Sequence, residues 1–361
     1  MYRKTVAVID LDAIRDNFLY ACRLAPQSRN IAVIKADAYG HGAVQVAKAL
    51  QDLAPAFAVA MMDEAVPLRE NNIDSPVLVL EGASDEASIT AAIEHDCWLV
   101  VHNDLQLEYI LAARPDKPLS VWIKIDTGMS RLGFRPEKLP SILERLQTAE
   151  VAPAQIVVCT HLACAEELSN DKTHIQTDAF LECAAKYKLP ISISNSAGIM
   201  GWPETHAEWN RPGYMLYGIS PFAEFNENAE PLKPAMTLRS ELIAIRSINV
   251  GDSVGYGGTW VAQRPSIIGT VEIGYADGYP RSAANGTPTL INGVTAPLVG
   301  TVSMDMVTID LTDVPNANIG DSVILWGEGL SVNDVARHSN TIGYELLTRA
   351  TLRVPRTYVG E

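Results

Sequence analysis

"NIAVIKADAYGHGAVQVAKAL", residues 30–50, passes from an unbroken apolar run through a lysine and a glycine-containing turn into an amphipathic pattern. Ile31 to Ile34 lacks the polar alternation of a half-exposed strand, so it reads as a strand buried on both faces, as in parallel sheets. "GAVQVAKALQDL", residues 42–53, spaces its apolar side chains as a helix does. The stretch is therefore one βα unit, and the unit recurs. The runs "AFAVAM", "PVLVLE", "CWLVVH", "LSVWIKID", "AQIVVCTH", "ISISN" and "NRPGYMLYG" follow, separated by helical patterns such as "DEASITAAIEH" and "LPSILERLQTA". Eight such strands predict an α/β fold in which residues 1–231 close into a (β/α)8 TIM barrel.

Past "AEFNENAEPLKPAM" the helical rhythm stops. Short β-rich runs take over, among them "TLRSELIAIRSI", "SIIGTVEIGY", "PTLING" and "DSVILWG", with a turn signal at Asn292-Gly293. The boundary falls near residue 231, and residues 232–361 read as a mainly antiparallel β domain. A short helix at "SVNDVARH" and a closing strand at "RATLRVPRTYV" are expected near the end.

The 361 residues are 47% hydrophobic and 20% charged, with a net charge of -15. That balance offers no basic stripe, so nucleic acid and anionic membrane surfaces are not expected partners; a local basic pocket for a phosphorylated small molecule stays open. No apolar run is long enough to span a bilayer. Cys22, Cys97, Cys159, Cys164 and Cys183 form no CxxC pair and read as reduced thiols. "CTHLAC" lacks the second ligand pair that a structural zinc needs, so no metal is expected. Arg3 and Lys4 precede an apolar stretch broken by Asp10 and Asp12, without a secretory cleavage site. The expected location is the cytoplasm.

In a barrel of this kind, reactive side chains gather at the C-terminal ends of the strands. Lys35 ends the first strand, "KIDTGMSR" (124–131) the fifth, "THLA" (160–163) the sixth and "SNSAG" (194–198) the seventh, while Arg211, Pro212 and Gly213 lie in the eighth. A strand-end lysine whose surroundings disfavour the ammonium form can bond covalently to a carbonyl; taken alone, Lys35 could equally be a solvated surface residue. Tyr39 lies four residues on, and Gly40 and Gly42 are expected to leave backbone N–H groups open to an anion. Asn195, Ser196 and Gly213 sit on the seventh and eighth loops, a frequent phosphate site in barrels. An ordinary βα turn at "YGHG" and a plain helix cap at Ser196 are the competing readings. "GYGGTW" (255–260) matches no nucleotide fingerprint.

Taken together, "VIKADAYGHG", "KIDTGMSRLGFR", "THLA", "SNSAG", "RPGYMLYG", "GYGGTW", "IGYADGYPR", "VSMDM", "DVARH", "IGYE" and "RVPR" resemble the alanine racemase family, in order and over almost the whole chain. The resemblance implies a pyridoxal phosphate enzyme, a homodimer with shared active sites, and a small amino acid as substrate. It assigns Lys35 to the imine with the cofactor aldehyde, and Lys35 and Tyr256 to proton transfer on opposite faces of the substrate Cα. Tyr256 would come from the partner subunit. A phenol with a reference pKa of about 10 is a poor base at neutral pH; the resemblance supplies His161 and Arg211 as a hydrogen-bonded chain that favours the phenolate, with Arg211 facing the pyridine nitrogen.

Further implied contacts are Tyr39, Asn195, Ser196, Gly213, Tyr214 and Tyr344 around the cofactor. Arg131 would serve cofactor and substrate carboxylate, the Met304 backbone would receive that carboxylate, and Tyr275 would line the entrance. Lys124 matches a lysine that carries a carbamate in several relatives; pairing with Asp126 or another acid is the other reading. Ser303 and Tyr214 depart from the residues common in the family, cysteine and a smaller aliphatic. Alternative functions are a broader small-amino-acid racemase, a noncatalytic pyridoxal phosphate-binding protein and a decarboxylase of the ornithine type. Supply of D-alanine for peptidoglycan is the expected role.

Overall fold

The computed structural model describes residues 3–360; residues 1 and 361, the outer limits of the two sequence-defined domains, lie outside them. The first eight-strand pattern forms a parallel sheet closed on itself. Its later strands are Phe57–Val59, Val77–Val79, Cys97–Val101, Ser120–Lys124, Gln155–Cys159, Ile191–Ser192 and Trp209–Asn210. The extended run at 29–33 closes it. The amides of Arg29, Ile31 and Val33 donate to the carbonyls of Glu208, Asn210 and Pro212 at 2.8–2.9 Å, while Ala32 and Ile34 donate the other way, to Ala56 and Ala58.

Because side chains alternate across a strand, each run divides between two cores. Ile31, Val33, Ala58, Leu78, Val100, Trp122, Val157 and Trp209 fill the barrel interior. Ala32, Ile34, Phe57, Val59, Val77 and Val79 face outward into the layer formed with the helices. Both sets are apolar, which is why the strands read as continuous hydrophobic runs. Trp98, Trp122 and Trp209 contact one another inside, with ring centroids 5.7–6.3 Å apart. Asp10, Asp85, Asn103 and Asn195 cap the helices that follow them through side-chain oxygens, each such cap contributing about 1 kcal/mol.

The second sheet is mainly antiparallel. Its long strand Met236–Ile248 pairs with Ser266–Val271 and Ser322–Trp326, and Pro288–Ile291 turns through Asn292-Gly293 into Val294–Pro297. The chain's opening strand, Val6–Asp10, also belongs to this sheet: it runs antiparallel to Met236–Ile248 and parallel to Arg356–Val359. No local pattern encodes that choice, since its partners lie more than 200 residues away. The closing strand is shorter than expected, because residues 349–355 follow turns and pairing begins only at Arg356. Val332–His338 is the expected short helix. Among the described residues no helix is long and apolar enough to cross a membrane.

Candidate active site

A cavity of about 900 Å³ opens at the C-terminal ends of the barrel strands. The pleat explains its chemistry. Val33, Trp122, Cys159 and Trp209 point into the barrel; two positions further along the same faces stand Lys35, Lys124, His161 and Arg211, all lining the cavity. Each of these four strands thus carries an apolar side chain inside the barrel and a basic one at its mouth.

Burial and mutual repulsion disfavour charge on these bases. The Lys35 amine is held below the ordinary lysine value, by burial first and then by Arg131. Lys124 is pushed down to about 8, again chiefly by burial, with Arg211 and Arg131 adding to it. Among the described residues it has no ion-pair partner. Asp126, its expected partner, instead accepts the amides of Gly128, Met129 and Ser130 at 3.0 Å each. His161 is held well below the usual imidazole range by burial and by Arg211, so it is neutral at pH 7. Arg211 donates to the Thr160 carbonyl at 2.6 Å and to the Ser192 hydroxyl. Its Nη2 also lies 3.5 Å from His161 Nδ1. With Nδ1 turned to a donor-only guanidinium, the imidazole proton sits on Nε2, free to donate further.

The turn after Lys35 is unusual. Ala36, Asp37, Ala38 and Tyr39 all have positive φ, 52–54°, and form one left-handed helical turn without a glycine. For L-residues this costs roughly 1–2 kcal/mol each, so surrounding contacts must impose it. The Ala36 amide donates to Glu64 at 2.8 Å, and His41 Nδ1 lies 3.0 Å from the carbonyls of Ala38 and Tyr39. One helical turn separates Lys35 from Tyr39, and both reach the cavity. The expectation that Gly40 and Gly42 offer free amides to an anion is corrected: those N–H groups donate to Ala36 and Asp37.

At the opposite wall, Ser196 Oγ accepts the amides of Gly213 and Met215 at 3.0 and 3.2 Å. A Cβ at position 213 would sit 2.8 Å from the Tyr39 hydroxyl oxygen, so only glycine keeps this corner open. Tyr39 and Tyr344 close it, and Tyr344 stacks on Tyr214 with centroids 3.5 Å apart. Amides, hydroxyls and phenols converge there, which suits a phosphate. The residues therefore fit pyridoxal phosphate: a deprotonatable amine, a polar corner and a buried guanidinium line one cavity.

Profiles of the alanine racemase N-terminal and C-terminal domains match residues 9–221 and 235–358. An alanine racemase of Chromohalobacter salexigens is 49% identical over 99% of this chain and 98% of its own length. The chain belongs to the alanine racemase family. A biosynthetic alanine racemase of Pseudomonas aeruginosa is 47% identical over 99% of both chains, and the crystal structure of the biosynthetic enzyme from that species superposes with a TM-score of 0.95, at 46% identity, over 99% of this chain and 100% of that one. The Bartonella henselae alanine racemase, solved with covalently bound pyridoxal phosphate, has a TM-score of 0.88 at 30% identity, over 99% of both chains.

Of the residues that the family resemblance singles out, the cavity gathers Lys35, Tyr39, Lys124, Arg131, His161, Asn195, Ser196, Arg211, Gly213, Tyr214 and Tyr344. The Asn195 side chain is engaged in capping its helix, accepting the Gly198 amide at 2.9 Å. Tyr256, Tyr275 and Met304 do not line the cavity; they stand on the β domain with 73%, 37% and 53% of their surface exposed. Three residues went unread in the sequence. Glu64 bridges Ala36 and Ala60 through its two oxygens, and its only signal is an acid in a helix's first turn. Glu81 lines the cavity. Tyr217 is buried between Tyr39 and His41 and donates to the Val33 carbonyl at 2.9 Å; within "RPGYMLYG" it looks like any core aromatic.

Proposed function

We propose that this chain interconverts L-alanine and D-alanine with pyridoxal phosphate, using Lys35 and a partner-supplied Tyr256 as the two proton-transfer groups. The observation that carries the reading is the placement of a buried amine, Lys35, in one cavity with the Ser196–Gly213 corner and Arg211. Bound there, pyridoxal phosphate supplies an aldehyde that bonds the amine and an electron-poor ring that acidifies the substrate Cα–H. Tyr39, Ser196, the Tyr214 amide and Tyr344 would hold its phosphate, with the Gly213 amide orienting the Ser196 hydroxyl. Arg211, a donor without an acceptor, would keep the ring nitrogen unprotonated if it faces it, and so would limit side reactions that need a stronger electron sink.

The Lys35 amine, freed when substrate binds, is held below the ordinary lysine value by burial, which eases its deprotonation so that it can take or return a proton on one face of Cα. Removal from one face and delivery to the other inverts the centre, so a second group is required opposite. Tyr256 meets that need if a second copy brings it over the cavity; its exposure, with that of Met304 and Tyr275, supports a homodimer with shared sites. The neutral His161, donating from Nε2, would stabilise the phenolate. Met304 makes no backbone N–H hydrogen bond among the described residues, which supports a role in receiving the substrate carboxylate with Arg131. Lys124, whose amine burial and neighbouring cations push down to about 8, deprotonates more readily than an ordinary lysine and is suited to carbamylation, which would give Arg131 an anionic partner.

The unpaired state of all five cysteines supports a reducing cytoplasm. Likeness to a biosynthetic relative supports supply of D-alanine for peptidoglycan. We assign most of the pyridoxal phosphate site to residues 1–231, with Tyr344 added from residues 232–361, which also supply the contribution to the partner's site. Chiral analysis of purified protein incubated with L-alanine and pyridoxal phosphate tests the reading: equal enantiomers are expected at equilibrium, with serine turned over poorly. Cofactor-loaded protein that leaves L-alanine unchanged would refute it.

A further inference from the structure

The left-handed turn that carries Lys35 rests against the last strand of the β domain. Along Arg356–Val359, side chains alternate between two faces, and the face bearing Arg356 and Tyr358 meets the two glycines that end the turn. Arg356 Nε donates to the Gly40 carbonyl at 2.7 Å, and its Nη2 donates to the Ala350 carbonyl at 3.3 Å and lies 3.9 Å from Asp37. Asp37 in turn accepts the Ala43 amide at 2.8 Å. The Tyr358 hydroxyl stands where a Cβ on Gly42 would be, and the Leu347 carbonyl where one on Gly40 would be. Strand Arg356–Val359 is itself fixed by parallel pairing with Val6–Asp10.

We propose that Arg356 is a positioning residue for Lys35. Its guanidinium ties the C-terminal end of the turn to the β domain, as Glu64 ties the N-terminal end to the second barrel strand's loop. Neither contacts the substrate. Both restrain four residues that would otherwise leave the left-handed region, and with them the direction of the Lys35 side chain. A planar fork suits the task, because Nε and Nη2 hold two carbonyls of separate segments at once. Released from this restraint, the lysine side chain would move toward solvent, away from the burial that lowers its proton affinity. The charged and titratable groups around it are Arg131, Glu64, Glu81 and His161.

The inference rests on the pyridoxal phosphate reading, and its test separates the two. Apoprotein is mixed with pyridoxal 5′-phosphate across a pH range, reduced with borohydride and mapped by mass. The Lys35 nitrogen adds to the aldehyde carbon, the carbonyl oxygen leaves as water, and hydride reduces the resulting C=N bond. In Arg356→Gln we expect labelling at Lys35 about tenfold slower at pH 7, with the half-maximal pH raised by about one unit. Affinity for pyridoxine 5′-phosphate, which keeps the phosphate and ring but has no aldehyde, should stay within about threefold, because Arg356 does not line the cavity that would hold the phosphate and ring. Arg356→Lys, which keeps the charge but not the fork, should fall between; it carries the test if the glutamine variant does not fold. Thr357→Ala, on the exposed face of the same strand, should label as the parent does.

Arg356 variants that fold and label at the parent's rate and pH overturn the inference alone. So does an equal loss of both ligands, which would mean general loosening. A parent chain that acquires no label at Lys35 overturns the inference together with the reading beneath it.

Discussion

The barrel mouth and the exposed edge of the β domain carry different halves of one chemistry. At the mouth, Lys35, His161 and Arg211 are enclosed and restrained, with Arg211 engaged by two carbonyls and a hydroxyl and the lysine turn fastened from both ends. On the β domain, Tyr256, Met304 and Tyr275 project outward with nothing of their own chain to act on. Enclosure perturbs the first group's proton affinities; the second group waits for a surface. In the proposed reading, the first group is a receptor and the second a contribution to another copy, as a self-complementary two-fold assembly would require.

Four substitutions probe that contrast, in decreasing order of effect. Lys35→Ala removes the covalent anchor and one proton-transfer group, and racemisation measured by chiral analysis should fall by roughly 10⁴-fold, the upper end for such a group. Equal loss in both directions of reaction would fit an anchor role; intact turnover would break the account. Tyr256→Phe keeps the ring but not the proton, so a loss of roughly 10²–10³-fold is expected, while pyridoxal phosphate binding, read by absorbance, is retained. Loss of cofactor would instead place Tyr256 among the mouth residues. Gly213→Ala inserts a Cβ 2.8 Å from the Tyr39 hydroxyl. We expect the dissociation constant for pyridoxal phosphate to rise about tenfold, equivalent to about 1.4 kcal/mol, and inorganic phosphate competition to weaken with it.

The smallest effect concerns stability. Burial pushes His41 down to about 4 from an ordinary 6.5. Below pH 6.5 the unfolded chain takes a proton that the folded chain refuses, so stability is full above that value and declines as pH falls toward 4. The decline attributable to this residue is on the order of 3 kcal/mol. His41→Phe keeps the ring stacked on Tyr217 but loses the Nδ1–H, costing about 1 kcal/mol at pH 7. Its denaturant midpoint should then vary less between pH 6.5 and 4.5 than the parent's; an unchanged slope would exclude His41 as the source.

The eight barrel strands were legible because burial on both faces leaves an unbroken apolar run, and caps such as Asp85 and Asn103 mark where helices begin. The opening strand's membership in the second sheet was not, because pairing across 230 residues leaves no local trace. Lys35 could be found as a cation ending a buried strand. The left-handed turn beyond it could not: Ala36 to Tyr39 contain neither glycine nor asparagine, and their conformation is imposed by Glu64, His41 and Arg356, residues distant or silent in sequence. The pairing of Lys124 with Asp126 failed for a related reason, since three consecutive amides satisfy that carboxylate first.

Mixing two inactive variants tests the central claim most directly. Lys35→Ala lacks a working mouth, and Tyr256→Phe lacks a working contribution. Unfolded apart and refolded together in equal amounts, random pairing makes half of the dimers mixed, and each mixed dimer contains one site with both native residues. About a quarter of parental activity should return on that basis, with neither variant regaining any alone. Mixed dimers, demonstrated by mass, that remain as inactive as their parents would contradict a site shared between copies.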